Sequence, residues 1–462
     1  MINNGNEMEE MKVSEHRFDQ RIPGVLDRDV SEVDRRSFLS LGGMLALAAC
    51  APKPVTSLRP KTFDWSIDSP ESAGMSQQGI EAVRAAVQQQ IDAGIINGAV
   101  SAIARHGKLV WYEAQGFSNP LSKAPMRKDA IFRVMSSTKP VTALAVLKLV
   151  DDGKLSLDDK VSKYIPSFRN PRVAVAPSGT TDAAKVTIVP AVRELVVRDL
   201  LTHTSGITSV GDKLSAPGIA ALVNRIERRP DDTLASYVPR LGEAVLEFQP
   251  GSKFSYSPTD AHDIALRIVE IVSGQSADVF MQDRLFDPLD MVDTGFNVDP
   301  GKRSRIVDIY AKSGDSWKAV DHVLGSPPYR YFSGGGGLFS TVYDFMNLEI
   351  MLLNRGSFNG RRILRPETHA LMTKSQIGDL FANWIPSMTK GNSFGLSVRI
   401  AASTDNVNGR SIGAYGWGGA YGTESWVEPS LDLAAVFFIQ MNPPPFSGSM
   451  AFEKAARAAI VA

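Results

Sequence analysis

A serine and a lysine stand three residues apart in Ser136-Ser137-Thr138-Lys139, a spacing that suits nucleophilic catalysis. On a helix, side chains at i and i+3 lie on one face with their Cβ atoms about 5–6 Å apart. The amino end of such a helix places partial positive charge beside the serine, and a lysine desolvated by burial can take the serine proton near neutral pH. Pro140 fits a helix that begins here, because proline is tolerated in the first turn. We therefore predict Ser136 as the nucleophile and Lys139 as its base.

The same SxxK pattern occurs a second time, in Ser387-Met388-Thr389-Lys390. This copy lies in a predicted loop with no apolar helix after it, so we interpret it as a chance occurrence. On local context alone, the alternative that Ser136 is only a helix cap stays open.

A tyrosine provides the third candidate group. Tyr256 follows the turn-forming segment Phe248-Gln249-Pro250-Gly251 and lies within Phe254-Ser255-Tyr256-Ser257. A phenol that faces the serine and the lysine can relay a proton to the leaving group. The plainer alternative is a core tyrosine with a single hydrogen bond.

The segment from Gly416 to Gly422 contains four glycines in seven residues and precedes a predicted strand. Glycines allow the backbone to approach a ligand closely. We expect N–H groups near Gly418 and Gly419, together with the N–H of Ser136, to form an oxyanion hole, in which the loss of one donor typically costs about 10²–10³ in rate. The alternative is a glycine-rich hairpin without catalytic function.

The bulk composition excludes several classes of function. The 462 residues are 43% hydrophobic, and their 50 basic and 50 acidic side chains give zero formal net charge. This balance argues against a nucleic-acid partner. The single cysteine, Cys50, excludes an internal disulfide and a Cys-rich zinc site. The histidines form no HxxxH pair, so we predict neither a metal nor a cofactor; the oligomeric state stays open.

Hydrophobic patterns predict strands at both ends of the chain after residue 75 and helices between them. We predict helices at 76–93, 140–150, 195–201, 234–246, 263–272, 343–353 and 450–461, and strands at 99–104, 109–114, 394–400, 424–427 and 433–440. The predicted fold class is α/β (α+β), with an antiparallel sheet flanked by N- and C-terminal helices and an inserted, mainly helical region. The α/β domain would comprise residues 76–155 and 300–462, and the helical domain residues 156–299.

The first 50 residues have the features of an export signal. Arg35 and Arg36 precede a short apolar run from Leu41 to Ala49, which ends at Cys50. Twin arginines before such a run resemble a twin-arginine signal, and Leu47-Ala48-Ala49-Cys50 resembles a bacterial lipobox. We expect a protein of the bacterial cell envelope, anchored to a membrane by a lipid on Cys50, with residues 51–75 as a tether. The alternative is a buried helix with a stray cysteine.

Taken together, these segments resemble the serine β-lactamase and penicillin-binding-protein superfamily, and most of all its class C–like branch with the family VIII carboxylesterases. The matching segments include Ser136-Ser137-Thr138-Lys139-Pro140, the run RDLLTHTSG at 198–206, and Phe332-Ser333-Gly334-Gly335-Gly336-Gly337-Leu338. The resemblance implies that Ser136 forms an acyl-enzyme while Lys139 and Tyr256 share the acid and base work. It further implies that the N–H groups of Ala420 and Ser136 hold the oxyanion and that Trp417 lines the acyl pocket.

Two departures from the β-lactamase pattern favour esters. Pro258 stands where β-lactamases of this branch carry a substrate-binding asparagine, and Trp417-Gly418-Gly419 replaces their Lys-Thr-Gly. We therefore expect hydrolysis of short-chain carboxylic esters. The alternatives are a β-lactamase, a D-amino-acid peptidase or another amide hydrolase of this fold, an acyltransferase, and a non-catalytic penicillin-binding-like module.

Overall fold

The computed structural model describes residues 67–177, 183–208, 226–322, 327–385 and 389–461. The predicted export signal with Cys50, residues 51–66 of the predicted tether and Ser387 of the second SxxK copy lie outside these ranges. Within them, none of the helices combines the length and the apolar character that a membrane crossing requires.

The described residues form ten α-helices that we number in chain order. They are α1 Gln77–Asp92, α2 Thr138–Asp151, α3 Val161–Tyr164, α4 Val197–Leu201, α5 Leu234–Leu241, α6 Asp260–Ser273, α7 Ala277–Met281, α8 Val342–Leu353, α9 Pro366–Thr373 and α10 Phe446–Ala458.

The strands of the described ranges are numbered in the same way. They are β1 Gly98–Arg105, β2 Lys108–Asn119, β3 Ala124–Pro125, β4 Phe132–Arg133, β5 Arg172–Val175, β6 Thr187–Pro190, β7 Val245–Leu246, β8 Ile309–Ser313, β9 Ser316–Val320, β10 Phe339–Ser340, β11 Ser357–Phe358, β12 Arg361–Arg362, β13 Asn392–Phe394, β14 Arg399–Ala401, β15 Tyr415–Gly419, β16 Thr423–Glu428 and β17 Leu433–Phe438.

The main sheet has eight antiparallel strands in the order β13-β14-β15-β16-β17-β1-β2-β3. The C-terminal strand β17 therefore pairs with the N-terminal strand β1, with Val100 opposite Phe438. Every residue of β17 is buried, since both faces of the sheet are covered. Side chains alternate between these faces along each strand, so the sheet contributes to two separate hydrophobic clusters.

One face of the sheet packs against the first and last helices. Val83 of α1 and Phe452 of α10 share a hydrophobic cluster with Trp426 and Phe437 of the sheet. The opposite face joins the larger core, which includes α2, α6 and α8. The predicted fold class, an antiparallel sheet with N- and C-terminal helices against it, is confirmed.

The region between α2 and β8 contains helices α3 to α7 and also a small sheet that the sequence did not indicate. Strands β5, β6 and β7 form this sheet in the order β6-β5-β7. The helix expected at 234–246 is too long, because α5 ends at Leu241 and residues 245–246 belong to β7. The predicted division into domains at residues 155 and 300 stays a prediction.

Near the carboxyl end, two sequence assignments are wrong in detail. The single strand expected at 394–400 is a pair, β13 and β14, joined by a turn in which the Gly395 N–H donates to the Val398 carbonyl over 2.9 Å. Ser397 in this turn has a φ of 65°. The glycine-rich segment does not simply precede a strand, because Tyr415–Gly419 itself forms β15.

Candidate active site

Ser136 lies in a single 3-10 turn, Met135–Ser137, that leads directly into α2. Met135 has a φ of 47°, a left-handed conformation that a residue with a bulky side chain rarely adopts. Such torsions cost about 1–3 kcal/mol and occur often at functional sites. The first turns of α2 that follow are completely buried in the core, which fixes the direction of the serine.

Lys139 is completely buried, and its amine has three oxygen neighbours. The Nζ atom is 3.1 Å from Ser136 Oγ, 2.6 Å from the Pro258 carbonyl oxygen and 2.7 Å from the Gly335 carbonyl oxygen. A neutral amine has two hydrogens and one lone pair. In that neutral form, the two carbonyls, which can only accept hydrogen bonds, take the two hydrogens and leave the lone pair for Ser136 Oγ. In the charged form, Nζ donates to all three oxygens. The geometry therefore suits an amine that accepts the serine proton.

Tyr256 approaches the same hydroxyl from the other side. Its Oη lies 2.7 Å from Ser136 Oγ, and the centre of its ring is 4.9 Å from Lys139 Nζ. Tyr256 lies on the loop before α6 and packs against the rings of His203 and Trp417. The structure thus brings all three sequence-predicted groups together around one oxygen atom.

His203 supports this loop and does not take part in the serine's hydrogen bonds. The Ser257 N–H donates to His203 Nδ1 over 3.1 Å, so this nitrogen carries no proton. Burial, with a smaller contribution from the charge of Lys139, holds the pKa of His203 well below its ordinary value. These contacts give His203 a structural role within the segment RDLLTHTSG at 198–206.

Asp263 is a residue of the site that sequence reasoning did not single out. Its Oδ1 accepts hydrogen bonds from Ser333 Oγ at 2.8 Å and from the Gly335 N–H at 3.1 Å, and its Oδ2 accepts from Tyr331 Oη at 2.6 Å. Burial raises the pKa of Asp263, which these hydrogen bonds and Lys139 oppose. The carboxylate therefore holds the backbone of Gly335 through its N–H, next to the carbonyl of the same residue that accepts from Lys139. The glycine cluster after Ser333 was the only signal for it in the sequence.

Strand β15 presents its free edge to Ser136. Strand β14 pairs only with Tyr415 and Gly416, which leaves the following residues of β15 unpaired on that side within the described ranges. A Cβ atom on Gly419 would collide with the Val134 carbonyl oxygen, so only glycine permits this close approach. Thr423 Oγ1 donates to the same carbonyl over 2.9 Å and lies 3.0 Å from Ser137 Oγ. Gly419 of β15 and Thr423, the first residue of β16, thus hold the β15–β16 hairpin against the serine turn.

A cavity of about 370 Å³ opens between this strand edge and the Ser136 hydroxyl. Its lining includes Tyr256, Trp384, Trp417 and Ala420, and most of its surface is aromatic or aliphatic. The predicted oxyanion and pocket residues, including Gly418 and Gly419, thus line the same cavity as the nucleophile. No group of three or more His, Cys, Asp or Glu side chains in the described part of the chain could hold a metal ion.

Comparisons with known proteins agree with this geometry. The family model described as Beta-lactamase matches residues 83–460. Esterase EstB of Burkholderia gladioli is 30% identical over 384 residues, which cover 76% of this chain and 88% of EstB. Lovastatin esterase of Penicillium rubens is 33% identical over 302 residues, covering 63% of this chain and 72% of that enzyme.

Among solved structures, that of EstCE1, a hydrolase with promiscuous acyltransferase activity, is similar with a TM-score of 0.68 and 25% identity. The match covers 83% of this chain and 99% of EstCE1. The chain therefore belongs to the β-lactamase family and is a serine hydrolase of the β-lactamase superfamily.

Proposed function

We propose that this hydrolase cleaves carboxylic esters with short acyl chains through an acyl-serine intermediate on Ser136. The observation that carries the proposal is the position of Ser136 Oγ between Lys139 Nζ and Tyr256 Oη, at the base of a largely apolar cavity. Relatives named as esterases support the choice of substrate class.

In the acylation step, the lone pair of Lys139 takes the proton of the Ser136 hydroxyl as Oγ attacks the ester carbonyl. The N–H groups of Ser136 and Ala420 stabilise the negative charge that develops on the carbonyl oxygen. The bond to the alcohol then breaks, and Tyr256 donates its phenolic proton to the leaving oxygen. The products of this half-reaction are an acyl-serine, a protonated Lys139, a Tyr256 phenolate and the free alcohol.

Deacylation reverses these transfers with water in place of the alcohol. The Tyr256 phenolate takes a proton from the water molecule that attacks the acyl carbonyl. When the tetrahedral intermediate collapses, the bond to Ser136 Oγ breaks and protonated Lys139 returns its proton to that oxygen. The enzyme recovers its starting state, and the carboxylic acid is released.

Two features of the site favour esters over β-lactams. Pro258 offers its carbonyl to Lys139 and has no side-chain amide for a substrate. Strand β15 carries the uncharged indole of Trp417. The β-lactamases of this branch have a lysine at that position, which attracts the carboxylate of a penicillin. An aromatic wall instead suits an apolar acyl or alcohol group.

The test compares p-nitrophenyl butyrate with a chromogenic cephalosporin on the full-length protein. We expect rapid ester hydrolysis, weak cephalosporin turnover, and one fluorophosphonate adduct that is lost in Ser136→Ala. Rapid cephalosporin turnover without ester turnover would favour the lactamase or peptidase alternative. A protein without any adduct would be a non-catalytic module.

Acyl transfer is a second candidate, because EstCE1 is described as a hydrolase that also has promiscuous acyltransferase activity. The free strand edge and the open cavity leave room for an alcohol to replace water in deacylation. An added acceptor alcohol would then convert p-nitrophenyl butyrate to a new ester. Unchanged formation of butyric acid would exclude this activity for the alcohol used.

We also propose that Cys50 carries a lipid that holds the enzyme at a membrane of the cell envelope. The order of twin arginines, apolar run and cysteine supports this proposal. The protein should fractionate with membranes, and Cys50→Ala should release it. Membrane fractionation of the variant would contradict the anchor.

A further inference from the structure

Two charged side chains, Arg399 and Glu424, line the otherwise largely apolar cavity above Ser136. Arg399 Nη2 donates to Glu424 Oε1 over 3.3 Å, and Arg410 Nη2 donates to the same oxygen over 2.8 Å. Arg410 is further held by Glu453 through two hydrogen bonds. Charge is therefore present in the cavity wall and is anchored from behind by a buried ion-pair network.

Both charged side chains have hydrogen-bonding capacity that this network leaves unused. A guanidinium has five N–H donors, yet among the described residues Arg399 makes only the single long bond to Glu424. Likewise, the network uses only the Oε1 atom of Glu424, and within the described ranges Oε2 accepts no hydrogen bond. The side chains of Arg399 and Glu424 are only 19% and 17% exposed.

Burial, and to a smaller extent the neighbouring Arg410, lower the pKa of Arg399. The unused donors and the free acceptor line the cavity, where water or a polar group of a ligand can satisfy them.

The sheet register shows where these groups lie relative to the reacting atoms. Arg399 pairs with Gly416 and Glu424 pairs with Gly418, both on β15. Measured along the direction of β15, at about 3.3 Å per residue, Gly418 beside Glu424 stands roughly 7 Å before Ala420, and Gly416 beside Arg399 roughly 13 Å before it. Gly418 permits the approach of the carboxylate, because a Cβ atom there would collide with Glu424 Oε2. A substrate chain that leaves Ser136 across the face of β15, over Gly418 and Gly416, would thus meet the acceptor first and the donors next.

We propose that Arg399 and Glu424 form a subsite for an uncharged hydrogen-bonding group, a hydroxyl or an amide, carried on an apolar chain of the ester substrate. The Arg399 N–H groups donate to the oxygen of this group, and Glu424 Oε2 accepts its O–H or N–H. A carboxylate would be repelled by Glu424, and an ammonium by Arg399. This inference rests on the proposed ester hydrolysis and adds a substrate class to it.

The experiment compares kcat/KM for three matched p-nitrophenyl esters on the full-length enzyme: octanoate, 8-hydroxyoctanoate and the monoester of octanedioic acid. A second set, octyl acetate and 8-hydroxyoctyl acetate, places the hydroxyl on the alcohol half. In one of the two sets we expect the hydroxylated ester to be preferred about tenfold, as one net hydrogen bond supplies. The octanedioic monoester should be the poorest substrate.

Arg399→Met should bring the ratio of kcat/KM for the hydroxylated and the plain ester to about one, mainly through a higher KM for the hydroxylated ester. Arg84→Met is the matched control, because Arg84 pairs with Glu113 at a distant, exposed position. Glu424→Gln should improve the octanedioic monoester relative to the octanoate, since it removes the repelling charge.

The subsite is refuted if the wild type hydrolyses the plain octyl esters but does not distinguish the hydroxylated ones in either set. Discrimination that survives in Arg399→Met, or a preference for the octanedioic monoester, also refutes it. Hydrolysis of p-nitrophenyl butyrate without hydrolysis of any octyl or octanoyl ester refutes the subsite alone. If the butyrate is not hydrolysed either, the proposed function fails and the subsite fails with it.

Discussion

Two lysines of this chain end an SxxK sequence, and their surroundings are opposite. Lys139 is completely buried and directs its amine at one hydroxyl and two backbone carbonyls. The side chain of Lys390 is 65% exposed and makes an ion pair of 3.1 Å with the similarly exposed Asp405. Exposed pairs of this kind contribute little to stability and are screened by salt.

This difference shows that the four-residue pattern does not specify a catalytic amine. Pro258 and Gly335 come from two distant parts of the chain, and their carbonyls determine where the hydrogens of Lys139 point. Lys390 has solvent in place of such carbonyls. The chemistry therefore depends on what the fold places around the amine, and the predictions below test that dependence in order of expected effect.

The largest effect should come from removing the amine of Lys139, and removing the amine of Lys390 should have no effect. Lys139→Ala should lower kcat for p-nitrophenyl butyrate by about 10³-fold or more, because a general base typically supplies about 10²–10⁴ in rate. Lys390→Ala is the matched control and should retain full activity. Stopped-flow and steady-state rates of both variants, with circular dichroism to verify folding, decide the comparison. Equal losses in the two variants would contradict it.

The next largest loss of activity should follow removal of the Tyr256 hydroxyl, which contacts the Ser136 hydroxyl opposite Lys139. Tyr256→Phe keeps the ring against His203 and Trp417 but removes the Oη that lies 2.7 Å from Ser136 Oγ. We expect kcat to fall about 10²-fold with butyrate esters. Esters with more acidic leaving alcohols should lose less, because they need less protonation. A uniform loss across leaving groups would exclude the acid role.

A smaller effect on kcat is expected from changing Asp263, whose carboxylate holds Gly335. Asp263→Asn should lower kcat about tenfold with little change in KM, since Gly335 would hold Lys139 less firmly. Outer partners of this kind typically contribute about 10–100-fold in metal sites, which gives the scale. Ser333→Ala removes only one hydrogen bond to Asp263 and should cost less. A change confined to thermal stability, with unaltered kcat, would assign Asp263 a purely structural role.

The smallest effect is expected at Glu349, a buried ionisable side chain that, unlike Lys139, is not fully surrounded by hydrogen-bond partners. Glu349 is buried in α8, its Oε2 has no hydrogen-bond partner in the described residues, and burial raises its pKa to about 7. A carboxyl group with a raised folded-state pKa stabilises the protein below its ordinary pKa of 4.5, and this contribution is lost as the pH rises through about 7.

Urea denaturation at pH 5 and pH 8 measures this contribution. The free energy of unfolding of the wild type should fall more between these pH values than that of Glu349→Gln. Esterase activity should be unaffected, because Glu349 does not line the cavity. Identical pH dependence in both proteins would mean that Glu349 is ionised in the folded state.

Much of the fold was predictable because strong local signals agree with the tertiary structure. The helix predicted at 76–93 corresponds to α1, which Ser76 caps with its Oγ accepting from the Gly79 N–H, and the apolar residues of α2 form a buried helix. The candidate Ser136, Lys139 and Tyr256 were also named from the sequence. Their order along the chain, more than any single motif, carried that prediction.

The remaining features depend on contacts that no local pattern encodes. The turn between β13 and β14 was hidden, since Gly395 to Ile400 reads as one alternating strand. Asp263 was missed because its partners lie about 70 residues away along the chain. The polar end of the cavity, at Arg399 and Glu424, is created by strand pairing and was not visible in composition or spacing.

The enclosure of Lys139 has a consequence for the whole cycle. Its two carbonyl neighbours cannot take up a proton, so an ammonium formed there has no route to bulk water through them. In the acyl-enzyme, that ammonium and the adjacent phenolate would persist as an internal ion pair, neutral as a whole. Each turnover would thus need no proton exchange between Lys139 and the solvent. The only net change in the surrounding solution would be the release of the carboxylic acid and the alcohol.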